Sequence, residues 1–470
     1  MSRVGIAGAG TMGAGIAALA AGASLQTLLY DPDPEALARA PEGVEPVGEL
    51  TALAQCGLVI EAAPEDLGLK RALFGELAAV VEPDCVLATN TSSLSVTALA
   101  AGLPRPGRVV GMHFFNPPAK MRLVEVVAGA ESTAGALAVA REAGEALGKR
   151  VIEAADAPGF IVNRCNRPFG LEALRLVQDG VATPEQVDRV CRMAGGFRMG
   201  PFELMDLVGL DVGLAVSRSF YEQSFGEPRW RPSPLAARRV SAGHLGRKSG
   251  RGWYEYPPGR PPDPEPPEPG GGDGLVVIAG EGAVAGELAA AGEDAGWEVA
   301  EPAEAEGEVP FLILDCGDEG EVPLQGGPQA ILVDRLPLGE LDPAGTGFHL
   351  VPPLGRLVEL TGRRHPAAER FFATLGMHAE HVADTPGLVL GRIVAQLVNE
   401  AHFALGEGIG SAEDIDVGME LGLNHPRGPL EWGEVWGLDA VLAVLDGLHA
   451  EYREERWRPA PALLRAVRAS

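Results

Sequence analysis

The sequence predicts a doubly wound α/β domain followed by an all-helical one, with the same pair repeated once further along the chain. Three observations lead there. Short apolar strands alternate with helical segments over the first part of the chain, and the periodicity turns helical after Asp156-Ala157-Pro158-Gly159. A set of motifs then recurs at one constant offset along the chain.

In chain order, Val4–Ala7, Thr27–Tyr30, Leu58–Ala62, Val86–Thr89 and Val109–His113 read as strands, with Glu65–Val80 as one of the intervening helices. The uncharged run Val4–Tyr30 is long enough to span a bilayer. It holds six glycines and leads directly into Asp31-Pro32-Asp33, so it reads as a buried strand, turn, helix and strand. Phe160–Leu176, Pro184–Met193 and Val208–Phe225 carry helical periodicity, and this region closes near Tyr256. Residues 257–274 have no aliphatic side chain to anchor a core, and their prolines and glycines predict an extended arm ending in a flexible hinge. Leu275–Ala279, Phe311–Leu314 and Ala330–Val333 then open a second α/β unit.

The repeat is explicit in the helical regions. Asp156-Ala157-Pro158-Gly159-Phe160 returns as Asp384-Thr385-Pro386-Gly387-Leu388, and Gly200-Pro201-Phe202-Glu203 with Gly209-Leu210-Asp211 returns as Gly428-Pro429-Leu430-Glu431 with Gly437-Leu438-Asp439. The α/β regions have drifted further: Gly111-Met112-His113 through Glu125 is echoed by Gly347-Phe348-His349 through Glu359. The expected organisation is 1–155 (α/β), 156–256 (helical), 257–274 (linker), 275–381 (second α/β) and 382–470 (second helical).

Composition narrows the function. The 470 residues include 65 acids against 38 bases, a formal charge of −27, which repels a phosphate backbone or an anionic membrane and argues against both as partners. Five scattered cysteines without C-x-x-C spacing argue against a disulfide framework or a zinc site, and no metal is expected. A reducing cytoplasm is the compartment that fits.

Gly8-x-Gly10-x-x-Gly13 follows a strand and opens a helix, where its glycines permit a tight turn, close approach to a pyrophosphate and helix–strand packing. Asp31 ends the next strand, placed for an adenosine ribose and repelling a 2′-phosphate. NAD is therefore expected over NADP; the alternative is that these glycines serve packing alone. His113 ends a strand on the carboxyl edge, where such sheets place ligands, and an imidazole suits a general base. Glu125, further along in Leu123-Val124-Glu125-Val126-Val127, needs a partner if that strand is buried. From the residues alone, a structural histidine and an ordinary strand-end charge remain equally good readings.

The motifs together resemble a known family. Gly-Ala-Gly-Thr-Met-Gly at 8–13, Ile60-Glu61-Ala62-Ala63-Pro64-Glu65-Asp66, Asn90-Thr91-Ser92-Ser93-Leu94, His113-Phe114-Phe115-Asn116-Pro117 and Pro158-Gly159-Phe160-Ile161-Val162-Asn163-Arg164 look like the L-3-hydroxyacyl-CoA dehydrogenases. The likeness covers the chain closely from its start to Tyr256, and the remainder is similar to the degenerate repeat of the longer, tandem bacterial members. The resemblance implies an α/β Rossmann domain plus an all-α helical domain, followed by a degenerate Rossmann-like domain and a second all-α helical domain. It implies NAD-dependent oxidation of an (S)-3-hydroxyacyl-CoA, a reaction of fatty acid β-oxidation, in a monomer acting as an internal pseudo-dimer or in a homodimer. His113 matches the catalytic base, Glu125 the carboxylate that orients it, and Ser92 and Asn163 the residues that hydrogen-bond the reacting oxygen and its surroundings. Gly8, Gly10, Thr11, Met12, Gly13, Asp31, Glu65, Lys70, Asn90 and Asn116 match positions at the cofactor. Physical alternatives are a helix cap before Leu94–Ala101 for Ser92, and a cap or solvent-facing amide for Asn163.

One departure stands out. Family members usually carry a helical hairpin after the second strand that contacts coenzyme A, but Asp31 and Glu65 stand too close in sequence to leave room for a strand connection and that hairpin together. A compensating candidate is Arg229–Arg251, which holds seven cations and no acid, with Arg247 and Lys248 as expected substrate contacts; the alternative is a basic face matched by acidic neighbours. In the second copy Ala285 stands at the third glycine position and Gly391 answers Asn163, so it is expected to be structural. A dehydrogenase of small free 3-hydroxyacids and a non-catalytic NAD-binding protein are the rival functions.

Overall fold

The computed structural model describes residues 3–305, 309–317 and 327–469. The chain forms two compact units, Met1–Cys165 with Ala404–Asn424, and Asn166–Phe403 with His425–Ser470.

The first unit is built on eight strands: β1 (Arg3–Ala7), β2 (Gln26–Tyr30), β3 (Val44–Val47), β4 (Leu58–Glu61), β5 (Val86–Thr89), β6 (Val109–Phe114), β7 (Leu123–Ala128) and β8 (Arg150–Ala155). They lie in the order β3-β2-β1-β4-β5-β6-β7-β8, parallel except where β7 runs against β6. The order reverses between β1 and β4, the switch point at which open sheets hold ligands. Val4, Ile6, Ile60, Ala88, Val110, Met112 and Val124 form the core beneath the helices Thr11–Gly22 and Ala134–Ala146. The near-continuous burial of β4, β5 and β6 is what covering both faces of a parallel sheet requires. A segment from the end of the chain completes the unit. Helix Ala412–Leu423 packs on β7, β8 and the short helix Val162–Cys165, while Ala155 N donates to Ile409 O at 2.8 Å and Arg164 pairs with Glu407 at 2.9 Å.

The second unit contains β9 (Leu275–Ala279), β10 (Glu298–Ala300), β11 (Leu312–Asp315), β12 (Gln329–Leu332), β13 (Thr346–His349), β14 (Leu357–Gly362) and β15 (His378–His381). Their order is β10-β9-β11-β12-β13-β14-β15, again with one antiparallel step, between β13 and β14. Helix Pro184–Met193 packs on β14, Ala383 N donates to Val181 O at 2.9 Å, and Arg392 pairs with Asp179 at 3.1 Å. These contacts repeat those of the first unit at the offset that relates Asp156 to Asp384, so each repeat lends a helical segment to the other's sheet. Among the described residues no helix is long and apolar enough to cross a membrane.

One predicted helix is broken and another is trimmed at its ends. Phe160 has φ +52°, a left-handed conformation in which no helix starts, so Phe160–Leu176 becomes Val162–Cys165 and Arg167–Gln178. Val208–Phe225 stands as Leu210–Gln223, its start set by Gly209 at φ +103°, which separates it from the preceding helix Pro201–Val208. The stretch 257–274 is pinned rather than free: Asp263 pairs with Arg192 at 2.5 Å, Gly270 N donates to Thr374 O and Gly272 N to Ala295 O.

Candidate active site

The cofactor cradle is decided by backbone geometry. Gly8 has φ +114°, and a Cβ there would lie 2.7 Å from Ala62 O; a Cβ on Gly13 would lie 1.8 Å from Gly8 O. A Cβ on Gly10 would meet nothing within 4 Å, which leaves the N-terminus of Thr11–Gly22 open to a phosphate. Thr11 is exposed and Met12 partly buried at that same turn. Asp31 closes β2 and accepts from Ala9 N at 2.7 Å and Asp33 N at 2.9 Å, which ties the glycine turn to the end of the neighbouring strand. A cradle of this kind, rimmed by a carboxylate, fits an NAD-type dinucleotide.

The residues expected at the reacting centre gather near the ends of β5 and β6 and on β7. His113 and Glu125 are direct partners across the antiparallel pair, so their side chains share a face and meet. His113 Nδ1 lies 2.6 Å from Glu125 Oε2, and the imidazole is 6% exposed against Phe115 and Phe160. A carboxylate can only accept, so facing one the neutral imidazole would place its proton on Nδ1 and its lone pair on Nε2. Glu125 is fully buried, and its Oε1 accepts from Ile161 N at 3.0 Å and Val162 N at 3.1 Å. The carboxylate thus sets the ring and also holds the turn that delivers Asn163. Asn163 Nδ2 donates to Ser92 O at 3.4 Å, which brings the two expected oxygen-binding residues together.

The remaining expected residues occupy the surroundings. Asn90 Oδ1 accepts from Phe114 N at 2.8 Å, cross-tying the ends of β5 and β6, and Asn116 is exposed on the loop after β6. Lys70, expected near the cofactor, is 1% exposed and held by Glu61 at 2.6 Å and Ala63 O at 3.1 Å. Glu65 takes Thr91 and the loop that follows it. Ser92 is not a cap: the following helix is Val96–Ala100, and Ser95 caps it through Ala98 N.

Sequence reasoning missed Glu61 and Asp156. Glu61, fully buried at the end of β4, gathers Lys70, Ala63 N and Thr89 Oγ1. Its signal, an acid inside an apolar strand, is the one that marked Glu125. Asp156 accepts from Ser95 Oγ, Val96 N and Thr97 N, anchoring the far side of the Ser92 loop.

The basic run Arg229–Arg251 lies in the second unit and is matched by carboxylates from distant parts of the sequence. Arg229 is buried between Glu227 and Glu400, Arg231 faces Glu454, Arg247 faces Glu203 at 3.5 Å and Lys248 binds Asp211 at 2.6 Å. The acid-free stretch of sequence is therefore not acid-free in space. Between β2 and β4 the described chain has only the short helix Pro34–Leu37, β3 and the turn Leu50–Gln55, with no helical hairpin.

Comparison with known proteins accords with this arrangement. The family model for the 3-hydroxyacyl-CoA dehydrogenase NAD binding domain matches residues 3–49 and 42–157, two pieces that meet in the shortened connection. The model for the C-terminal domain of the same family matches twice, at 159–256 and 387–470. A 3-hydroxyadipyl-CoA dehydrogenase of Escherichia coli is 36% identical over 98% of this chain and 97% of its own length. A probable 3-hydroxybutyryl-CoA dehydrogenase of Bacillus subtilis is 40% identical over 54% of this chain and 98% of its own. The solved structure of a 3-hydroxybutyryl-CoA dehydrogenase from Escherichia coli K12 matches with a TM-score of 0.83 at 34% identity, covering 100% of this chain and 98% of that one. With its glycine cradle, its paired histidine and glutamate and both domain types of the family in place, the chain belongs to the 3-hydroxyacyl-CoA dehydrogenases and is an NAD-dependent oxidoreductase.

Proposed function

We propose that the first repeat oxidises an (S)-3-hydroxyacyl-CoA to the 3-oxoacyl-CoA, with His113 as general base. The observation that carries this reading is the 2.6 Å contact between His113 Nδ1 and a Glu125 whose other oxygen is already committed to two backbone N–H groups. The ring is thereby fixed with Nε2 toward the substrate, and the carboxylate stabilises the imidazolium once the hydroxyl proton has moved. Ser92 and Asn163 bind the oxygen at C3 and keep its lone pairs directed as the C–O bond becomes a carbonyl. NAD, when bound in the cradle of Gly8, Gly10, Thr11, Met12, Gly13 and Asp31, supplies the oxidant that takes two electrons and a hydrogen from C3. Asn90 and Asn116 complete the cofactor's surroundings.

Relatives named for hydroxybutyryl and hydroxyadipyl thioesters support a short acyl chain. Arg247 and Lys248 remain our candidates for the phosphates of coenzyme A, because half-exposed pairs of their kind are worth under about 1 kcal/mol and yield to a better anion. The missing hairpin favours a second reading, a small free 3-hydroxyacid as substrate. Following NADH formation with 3-hydroxybutyryl-CoA and with free 3-hydroxybutyrate decides between them: the thioester is expected to react, and turnover of the free acid alone would replace the first reading by the second.

We further propose the boundaries 1–155, 156–256, 257–274, 275–381 and 382–470 for the repeats, and a monomer that serves as its own pseudo-dimer. The reciprocal bonds Ala155–Ile409 and Ala383–Val181 support both. Five buried thiols without disulfides accord with a reducing cytoplasm.

A further inference from the structure

The segment Asn90–Ser95 that carries Ser92 has no regular secondary structure, so side-chain bonds must give it its shape. Those bonds converge on one atom. Glu65 Oε1 accepts from Thr91 Oγ1 at 2.6 Å, Ser93 Oγ at 2.9 Å and the backbone N–H groups of Ser92 and Ser93 at 3.1 Å each. Thr91 Oγ1 in turn accepts from Leu94 N at 2.9 Å. Behind the carboxylate, Lys70 Nζ lies 3.5 Å from Oε2 and is itself fixed by Glu61, which also binds Thr89 at the end of β5. Thr89, Glu61, Lys70, Glu65 and Thr91 therefore bracket the loop from both sides. Burial pushes the Glu65 carboxyl up, but the Thr91 and Ser93 hydroxyls, Lys70 and the Ser92 N–H outweigh it and hold the group below its ordinary range. An ionised carboxylate is the group that can receive several donors and offer none.

The second repeat supplies an independent observation. The connection from Asp315 to Gln329 is far shorter than the one from Glu61 to Val86 that it answers. It has no room for a counterpart of helix Leu67–Val80, which carries Lys70, so the repeat lacking a counterpart to Asn163 also lacks space for this bracket.

We infer that Glu65 is a positioning residue for Ser92, acting on the reaction through the shape of the Asn90–Ser95 loop beyond any contact it makes with the cofactor. The inference rests on the reading that Ser92 meets the reacting oxygen. A misplacement of about 1 Å in such a group costs on the order of 10²-fold in rate.

The test compares Glu65→Ala and Glu65→Gln with the native protein in three readouts: kcat with 3-hydroxybutyryl-CoA, the Kd for NADH by fluorescence titration, and hydrogen exchange of the peptide spanning 90–95. Glu65→Ala should lower kcat by on the order of 10–100-fold, a factor well beyond any rise in the NADH Kd. Glu65→Gln, which keeps one accepting oxygen, should recover part of that loss. Exchange at 90–95 should quicken in both variants, a readout independent of turnover. If the native protein fails to oxidise the thioester, the functional reading falls while the exchange result still judges the loop. A Kd that rises in step with the loss of kcat, or exchange unchanged from the native protein, would overturn the inference.

Discussion

His113 faces Glu125 across β6 and β7, and His349 faces Glu359 in the same register across β13 and β14, yet only the first pair is joined. In the second repeat neither imidazole nitrogen makes a hydrogen bond among the described residues; Nε2 lies 2.9 Å from Asp334 Oδ1 without bonding alignment. The ring packs edge-on to Trp436 at 5.8 Å and is fully buried. It also fills the space above Gly391, where a Cβ would lie 2.2 Å from His349 Cε1. Gly391 answers Asn163, so the histidine of the second repeat occupies the room that the first gives to a site residue. Strand register alone does not make a bonded pair.

What the repeats share is equally informative. Glu359 accepts from Val389 N and Leu390 N as Glu125 does from Ile161 N and Val162 N, and Asp384 accepts from Leu338 N and Gly339 N as Asp156 does from Val96 N and Thr97 N. Two carboxylates thus fasten sheet to helical segment in both copies, whether or not chemistry follows. Among the described residues, the bracket around Ser92, the bonded His–Glu pair and Asn163 belong to the first copy.

The comparison can be broken in three places. Replacing His113 by Gln should cost on the order of 10²–10⁴-fold in kcat with NAD binding nearly unchanged; wild-type turnover would remove the base from the account. Gly391→Ala should lower the stability of the second unit by about 1–3 kcal/mol through overpacking, although alanine ordinarily favours a helix over glycine. Adding His349→Ala should relieve most of that loss in chemical denaturation, and equal stability of the single and double variants would mean the ring does not set the cost. The third concerns pH. His425, packed between Phe169 and Phe197, is pushed down to about 3 by burial. The unfolded chain takes up a proton below about 6.5 while the folded one does not until near 3. Stability should therefore fall as pH drops through that window, by at most about 1.4 kcal/mol per pH unit for one proton. Phe197 holds the equivalent position in the first repeat, and His425→Phe should flatten that slope; an unchanged slope would assign it to other groups.

Much of this was legible in the sequence, for physical reasons. Val86–Thr89, Pro184–Met193 and Leu275–Ala279 stand as predicted because buried parallel strands and capped amphipathic helices carry local signals. The glycine cradle was readable from spacing, whereas the His113–Glu125 pairing came from the family resemblance and stayed open on the residues alone. The strands β3 and β8 were not readable, being short or half-exposed, and neither was the break at Phe160, which depends on a single backbone angle. The partners of Lys70, Arg229 and Lys248 were out of reach for another reason. Arg229 is satisfied by Glu400 and Lys248 by Asp211, and no local pattern tells a cation which remote carboxylate will meet it.

The central claim is that one repeat works and the other supports it. The measurement that tests this most directly is the kcat of folded His349→Ala with NAD and 3-hydroxybutyryl-CoA, set beside that of His113→Gln. The account expects His349→Ala to keep nearly full turnover, since its imidazole bonds neither Glu359 nor any counterpart of Ser92 and Asn163. A loss in the folded variant approaching that of His113→Gln would show that the second histidine takes part in the reaction and contradict the division between the repeats.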